Sequence, residues 1–441
     1  MDPDLTDEAT YEHLRDRTRR TADARPLSRR GVLRLSAGAV AGGVAGAAGI
    51  ASSGTASASA ASAVGASSRG VRSGTVADVP ASGIIKPLPP ELFIPRGTNA
   101  EMRWEAMRGQ GLITPVDRFF VRNHVATPRI DARTWRLKLW GSGLQGSPTE
   151  DRAFELSYTQ LLTMRARTIT TAIECTGNGR SFYTTQQNEK VSGTPWTLGA
   201  VGVARWRGVP LADVLRRAGL SPTAVDVLPR GLDADFVDGG ENMGRVRRPL
   251  PIEKALKDVL VAYEMNGAPL PPDHGFPVRL VVPHWVGIAS IKWLGDIEVA
   301  DHALTSPWNT RYYRMFGPSF PPEGSEPLTT MNVKSAFELP FPATLDGREV
   351  TLTGRSWSGT GRVRRVEVST DGGAHWQRAH LHGPSDAWAR WSLRWRPPAP
   401  GSYELLARAT DDSGHTQPST ATYNTLGYLF GAVVRHPVTI S

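Results

Sequence analysis

Only one of the 441 residues offers a thiolate, and it is Cys175. It lies in the run Arg167-Thr-Ile-Thr-Thr-Ala-Ile-Glu-Cys-Thr-Gly-Asn-Gly-Arg180. Ile169, Thr171, Ile173 and Cys175 alternate with Thr170, Ala172 and Glu174, the period of a strand with one face toward a core. Thr176-Gly-Asn-Gly179 then predicts a tight turn, because Gly and Asn tolerate left-handed backbone. The thiol therefore sits at a strand end, beside open backbone N–H groups and Arg180, a setting that favours the metal-binding thiolate. The same placement also suits a buried, inert thiol. Spacing leaves both readings open.

A second group of polar residues follows downstream. Asp273-His-Gly-Phe-Pro-Val-Arg279 puts an acid, an imidazole and a guanidinium within seven residues, and Ser290-Ile-Lys292 comes shortly after. Such donors also decorate surfaces. Their setting between apolar stretches argues instead for a buried anion site, since charges without partners do not stay buried. Upstream, Phe119-Phe-Val-Arg-Asn-His124 couples an aromatic pair to Arg122 and His124.

These residues need elements to hold them. Residues 60–96 read as a Ser/Ala-rich, then Pro-rich linker, with ordered structure starting at Glu91-Leu-Phe-Ile-Pro95. Trp135-Arg-Leu-Lys-Leu-Trp140 alternates as a strand, and residues 156–164 predict a short helix with Ser157 near its start. Trp196 falls in a loop. Residues 210–219 predict a helix with Pro210 in its first turn, Leu211, Val214, Leu215 and Ala218 on one face, and Gly219 closing it. Residues 259–262 and 276–282 are apolar strand candidates. Beyond Met331 the helical period disappears. Short alternating strands, with a hairpin signal at Asp371-Gly-Gly373, predict a β-sandwich of about 110 residues, immunoglobulin-like in size and rhythm.

The length exceeds what one core serves and implies two or three domains. Thirty-four Pro and 45 Gly argue for many turns rather than a helical bundle. A single cysteine excludes an intramolecular disulfide framework, a CxxCH haem attachment and an all-cysteine iron–sulfur site. At the start, Ser28-Arg-Arg-Gly-Val-Leu-Arg34 precedes a Gly/Ala run over 35–51, with small-residue sites such as Ala56-Ser-Ala58 after it. That is the order of an export signal, and Arg29-Arg30 marks the twin-arginine route, which carries folded proteins. The run is short for a membrane span of about 20 residues, although Gly38, Gly42 and Gly46 repeat as in packed membrane helices, so an uncleaved anchor is the alternative. Nine Arg against seven acidic residues before position 71 leave most of the +9 net charge on the remainder. No dense Lys/Arg block with interleaved aromatics points to nucleic acid; the positive field suits small anions.

Taken together, the runs Phe119-Phe-Val-Arg-Asn-His124, Cys175-Thr-Gly-Asn-Gly-Arg180, Ala262-Tyr-Glu-Met-Asn-Gly267, Asp273-His-Gly-Phe-Pro-Val-Arg279 and Ser290-Ile-Lys-Trp-Leu-Gly295 resemble the sulfite oxidase family of molybdopterin-dependent oxidoreductases, from about Phe119 to the C-terminus. The resemblance implies an α+β molybdopterin-binding domain (the sulfite oxidase fold) followed by an immunoglobulin-like β-sandwich. The expected boundaries are a twin-arginine signal and linker over 1–70, a catalytic domain over 71–328 and a dimerising sandwich over 329–441. It implies one molybdenum per chain on a pyranopterin dithiolene, with Cys175 as the protein ligand to the metal, a role that needs a soft thiolate. Phe120, Val121, Arg122, Asn123 and His124 would line the cofactor. Asp233, His274, Arg279, Ser290, Ile291 and Lys292 would hold the pterin and its phosphate. Arg122, Arg180, Trp196 and Tyr313 would form the substrate anion pocket.

The implied reaction is oxidation of sulfite, or a related sulfur compound, to sulfate by oxygen-atom transfer. Without a haem domain of the cytochrome b5 type, electrons would pass to a separate acceptor such as a c-type cytochrome. One departure stands out: in Asn424-Thr-Leu-Gly427, Leu426 occupies the place of a cation that the vertebrate oxidases carry there, with Arg435 a candidate replacement. That keeps a sulfane dehydrogenase within a thiosulfate-oxidising complex as an alternative, and a cofactor-less secreted binding protein as a rival of another class. A homodimer is expected through the sandwich, with Trp388, Trp391 and Trp395 assigned either to contacts or to core.

Overall fold

The computed structural model describes residues 83–383 and 387–441. The export signal with Arg29-Arg30, and the linker as far as residue 82, lie outside the described residues. Among those described, no helix is long and apolar enough to cross a membrane.

Two sheets build the first part. One has the strand order Leu250–Pro251, Asp226–Gly231, Leu294–Ala300, Arg136–Trp140, Phe154–Ser157. The other runs Ala268–Pro269, Leu260–Met265, Val201–Pro210, Arg167–Glu174, with Arg279–Val281 also paired to Leu260–Met265. Both contribute to a single hydrophobic core. The short helices patch its rim, and their ends follow from local chemistry. Leu156 belongs to a strand, opposite Leu137, and the helix is Tyr158–Thr163. Ser157 caps it: Ser157 Oγ accepts from Gln160 N–H at 3.2 Å while Gln160 Oε1 accepts from Ser157 N–H at 2.8 Å. In the helix Leu211–Arg217, Pro210 stands just before the first turn, and Leu211, Val214 and Leu215 are fully buried. Each such side chain contributes roughly 1.5–3 kcal/mol of transfer free energy.

The second part is the expected sandwich. One sheet orders Lys334–Phe337, Val350–Trp357, Ala389–Trp395, His380–His382; the other orders Ala343–Leu345, His436–Ile440, Gly401–Asp411, Val363–Ser369, Gln377–Arg378. Trp391 and Trp395 fill the core between them, and Trp388 fills the core of the first part, its Nε1–H donating to Leu112 O at 2.8 Å. All three indoles are buried, so none is free for contacts with another chain.

The two parts, over the described residues, share one compact unit. Trp357, Trp388, Tyr428 and Phe430 of the sandwich and its C-terminal segment belong to the first part's core. This changes the cysteine strand. Alternation predicts one buried face, yet Thr171, Ala172, Ile173, Glu174 and Cys175 are all buried, because the sandwich covers the second face of that end.

Candidate active site

Cys175 is the last rung of the strand Arg167–Glu174, its N–H donating to Ala200 O at 2.9 Å. The chain then turns through Asn178 N–H to Cys175 O and Arg180 N–H to Gly177 O, both 2.9 Å, into the helix Ser181–Gln187. Gly179 has φ +90, and a Cβ there would meet Phe430 at 3.1 Å, so the turn demands glycine. The turn sets the thiol at a cavity partly open to solvent.

Three cations enter this cavity or its wall without a carboxylate in an ion pair among the described residues. Arg279 Nη1–H and Nη2–H donate to His274 O and Ser290 O, both at 3.0 Å. Lys292 Nζ donates to Asp273 O at 2.7 Å and to Asn123 Oδ1. Lys86 Nζ donates to Val116 O at 2.8 Å and Phe119 O at 3.0 Å. Burial pushes the guanidinium of Arg279 down to about 9 and the Lys86 ammonium down to about 8. It also holds Lys292 well below its ordinary value, with Arg279 adding to the effect. Proteins rarely bury bare cations, so the site is built for an anion.

Opposite charges and orphaned atoms complete the lining. Asp233 is 2% exposed, and burial raises its carboxyl to about 6. Its Oδ1 lacks a hydrogen-bond partner, as does His274 Nε2. His274 is kept neutral by burial and by Lys86, Lys292 and Arg279. Ser290 Oγ accepts from Val282 N–H at 3.0 Å, and Ile291 O accepts from Leu280 N–H at 2.8 Å, so these two shape the wall through the backbone. Phe119 stacks on Phe120 at 5.4 Å and meets the His274 ring edge-on at 5.4 Å.

Arg122 and Tyr313 lie on the cysteine side. Arg122 Nη1–H donates to Asn123 O at 2.5 Å, and Nη2–H donates to His124 Nε2 at 3.0 Å. Trp308 Nε1–H donates to the same nitrogen at 3.1 Å. Two donors on Nε2 assign the ring proton to Nδ1. Burial, then Arg122 and Lys292, hold His124 well below its usual range, so it stays neutral. Ser306 caps the short helix Pro307–Thr310 that carries Trp308. Tyr313 has φ +56 and stacks on Tyr428 at 5.2 Å with the rings 9° apart. Burial raises its phenol, while Arg122, Arg180 and Arg248 pull it down.

The cavity thus gathers Phe120, Arg122, Asn123, His124, Cys175, Asp233, His274, Arg279, Ser290, Ile291, Lys292 and Tyr313. Three expected residues stand behind it. Val121 is fully buried away from the cavity, exchanging 2.9 Å backbone bonds with Ala100 and packing beside Ile84 and Phe93. Trp196 is buried edge-on to Phe120 at 6.4 Å and supports that ring from outside. Arg180 donates to Leu426 O at 2.8 Å and Thr194 O at 2.9 Å and lies 5.3 Å from the Tyr428 ring, walled in by Gly177. Its charge reaches Tyr313 across the tyrosine stack. Arg435 does not replace the cation missing at Leu426: it is exposed and sits 4.0 Å from Glu404.

Sequence reasoning missed Lys86, Arg248, Trp308, Tyr428 and the role of Asp273. The Asp273 carboxylate accepts from Ile85 N–H, Lys86 N–H and Thr127 Oγ1–H, tying the first described residues to the cavity. Arg248 is 1% exposed and donates to Trp308 O and to Leu328 O, the latter at 2.8 Å. Leu328 N–H in turn donates to Tyr313 O at 2.8 Å, so Arg248 braces the segment bearing Tyr313. Nothing in the sequence around Arg247-Arg248 marks one member as buried.

The residues fit a phosphorylated pterin. Arg279 and Lys292, without a carboxylate in an ion pair among the described residues, suit a phosphate, and the orphaned Asp233 Oδ1 suits amino-group donors. No cluster of three or more His, Cys, Asp or Glu is poised for a metal among the described residues. A metal at Cys175 would therefore take most of its ligands from the bound organic group.

Comparison with known proteins agrees. Residues 124–308 match the oxidoreductase molybdopterin binding domain, and 326–440 match the Mo-co oxidoreductase dimerisation domain. The chain is 39% identical over 368 residues to mitochondrial sulfite oxidase of Homo sapiens, covering 78% of this chain and 65% of that one. It is 36% identical over 342 residues to sulfite oxidase of Gallus gallus, covering 73% and 71%. The chain thus spans under two thirds of the length of the mammalian relatives it matches. Among solved structures, the sulfane dehydrogenase SoxCD from Paracoccus pantotrophus superposes with a TM-score of 0.67 at 26% identity, covering 78% of this chain and 86% of that one. With an α+β cofactor domain, an immunoglobulin-like sandwich and a single thiol facing a cavity lined by cations, the chain belongs to the sulfite oxidase family of molybdopterin-dependent oxidoreductases.

Proposed function

We propose that this chain oxidises sulfite, or a closely related sulfur anion, to sulfate and passes the electrons to a separate acceptor. The observation that carries this reading is the convergence of Cys175, Arg122 and Tyr313 on one cavity with Arg279 and Lys292, neither in an ion pair with a carboxylate among the described residues. When bound, the molybdenum group supplies a two-electron couple and exchange of an oxygen atom with water. The net change is sulfite plus water to sulfate, two protons and two electrons. Cys175 holds the metal as thiolate. Arg122 attracts and orients the anion, and its guanidinium becomes available by leaving the Asn123 carbonyl and the neutral His124 ring. Tyr313 Oη donates a hydrogen bond to the substrate oxygen and carries a proton outward; burial keeps the phenol protonated, and Arg122, Arg180 and Arg248 offset that in part. Phe119, Phe120 and Trp196 keep the interior dry.

A second reading, sulfane oxidation on a carrier, draws support from the likeness to SoxCD and from Leu426, which leaves the rim without a cation at that position. Sulfite and protein-bound sulfane assayed with ferricyanide or cytochrome c as acceptor separate the two. Family membership and the cation-lined cavity speak against a cofactor-less binding protein. The twin-arginine pattern at Arg29-Arg30 supports export of the folded protein, with residues 1–70 cleaved or kept as an anchor. The match of 326–440 to a dimerisation domain supports a homodimer, and a c-type cytochrome is the acceptor that suits an exported enzyme.

The deciding experiment is metal analysis with a sulfite assay on wild type and Cys175→Ser. We expect one molybdenum per wild-type chain, and loss of turnover in the variant by about a thousandfold or more with its melting temperature kept. Wild-type rates in Cys175→Ser would remove the thiolate from the reaction.

A further inference from the structure

Glu174, immediately before Cys175, is 2% exposed and has both carboxylate oxygens hydrogen-bonded. Its Oε1 accepts from Asn178 Nδ2–H at 2.9 Å and from Lys334 Nζ at 2.8 Å. Its Oε2 accepts from Trp357 Nε1–H at 3.0 Å. Lys334 Nζ also donates to Asn178 O at 2.8 Å, and Asn178 Oδ1 accepts from Ala200 N–H at 3.1 Å. The residues before and three after the thiol are thereby locked to each other and to the sandwich.

The register explains how two sandwich residues reach one carboxylate. Lys334 and Trp357 are direct partners across the antiparallel strands Lys334–Phe337 and Val350–Trp357, so their side chains leave the sheet on the same face. Lys334 is 6% and Trp357 0% exposed. A buried ion pair of this kind adds little net stability over a well-packed apolar pair, so stability alone does not account for it. It supplies direction, and a metal thiolate must be held to about 0.5 Å.

We propose that Lys334 and Trp357 are positioning residues for Cys175: acting through Glu174, the sandwich aims the thiol into the cavity. The sandwich then completes the site, whatever part it also plays in dimerisation. The effect on turnover rests on Cys175 being the metal ligand. The aim of the thiol does not, which makes the two separable.

Because the chain has one cysteine, thiol labelling reports on this turn alone. The full-length protein, made in a host lacking the cofactor pathway, is treated with a disulfide reagent, and the labelling rate is compared across variants. Arg355→Met serves as control, since Arg355 also bridges the two parts, donating to Met107 O at 3.1 Å and Gly111 O at 2.8 Å, far in sequence from the cysteine turn. We expect Lys334→Met to label about tenfold or more faster than wild type, Trp357→Phe to fall between, and Lys334→Arg to return most of the way. Arg355→Met should stay within about twofold of wild type at a comparable loss of melting temperature. Equal acceleration in Lys334→Met and Arg355→Met, or wild-type labelling in Lys334→Met, would overturn the proposal. Should Lys334→Met yield no soluble protein, Trp357→Phe and Lys334→Gln carry the same comparison. In the loaded enzyme the proposal further expects kcat to fall with KM unchanged and the paramagnetic signature of the metal to shift. If labelling responds while sulfite is not a substrate, the proposed function fails and the positioning role stands.

Discussion

Arg122 is the residue whose charge has to be both held and released. Its bonds to Asn123 O and a neutral His124 are to uncharged acceptors, so an incoming anion out-competes them. Arg122→Gln should therefore raise KM for sulfite about tenfold or more with a smaller effect on kcat, and added salt should raise the wild-type KM by screening; steady-state kinetics at two ionic strengths checks both. Asp233 gives a pH signature. Its folded value of about 6 lies above the unfolded value near 3.9, so the folded state holds the proton longer. Its contribution is full below about pH 4 and is lost as pH rises through 6, an order of 3 kcal/mol at most. In protein free of cofactor, Asp233→Asn should flatten the fall in thermal stability between pH 4 and 6.5; melting curves for both proteins decide it. His274, depressed by burial, pulls the other way in both proteins, and Lys292, which the Asp233 charge supports, pulls the other way more strongly in the variant.

At the scale of elements, the site is a set of strand ends and turns. The strand Arg167–Glu174 delivers Cys175, the strand Arg279–Val281 delivers its first residue, and the capped helix Pro307–Thr310 delivers Trp308 to His124. The cysteine turn is the most demanding of these. A methyl at Gly179 meets both positive φ and Phe430. Gly179→Ala should cost roughly 1–3 kcal/mol, lower the melting temperature by several degrees and reduce the molybdenum retained per chain. Calorimetry and metal analysis test this together. Much at this scale was readable in advance: the turn after Cys175, the cap at Ser157 and the helix after Pro210 are local, and local sterics decide them. The burial of Glu174 was not, because it comes from a sheet more than a hundred residues away.

For the whole molecule, the two parts share side chains rather than merely touching. Trp357, Trp388, Tyr428 and Phe430 fill the first part's core, and Arg355 satisfies carbonyls at Met107, Gln110 and Gly111. A chain ending at residue 328 would expose that core and leave Glu174 without Lys334 and Trp357. Such a truncation should fail to give a cooperative thermal transition, whereas the full chain should unfold in one; circular dichroism on both is sufficient. Trp388, Trp391 and Trp395 follow the same logic, being spent inside the molecule and leaving any dimer to other surfaces.

The chain's own order of residues determined the thiol, the cavity's cations and the sandwich, because each rests on short motifs or on alternation within one strand. Lys292, Arg279 and His274 were legible for that reason, lying in runs where polar groups interrupt apolar strands. Folding in three dimensions decided which charges face the cavity and which are consumed beside it. Arg180 is spent on Leu426 and Thr194, Arg435 on the surface beside Glu404, and Arg248, unmarked in sequence, braces Tyr313. The physical reason is that a charge's role depends on which acceptors and how much water surround it, and contacts between distant segments set both.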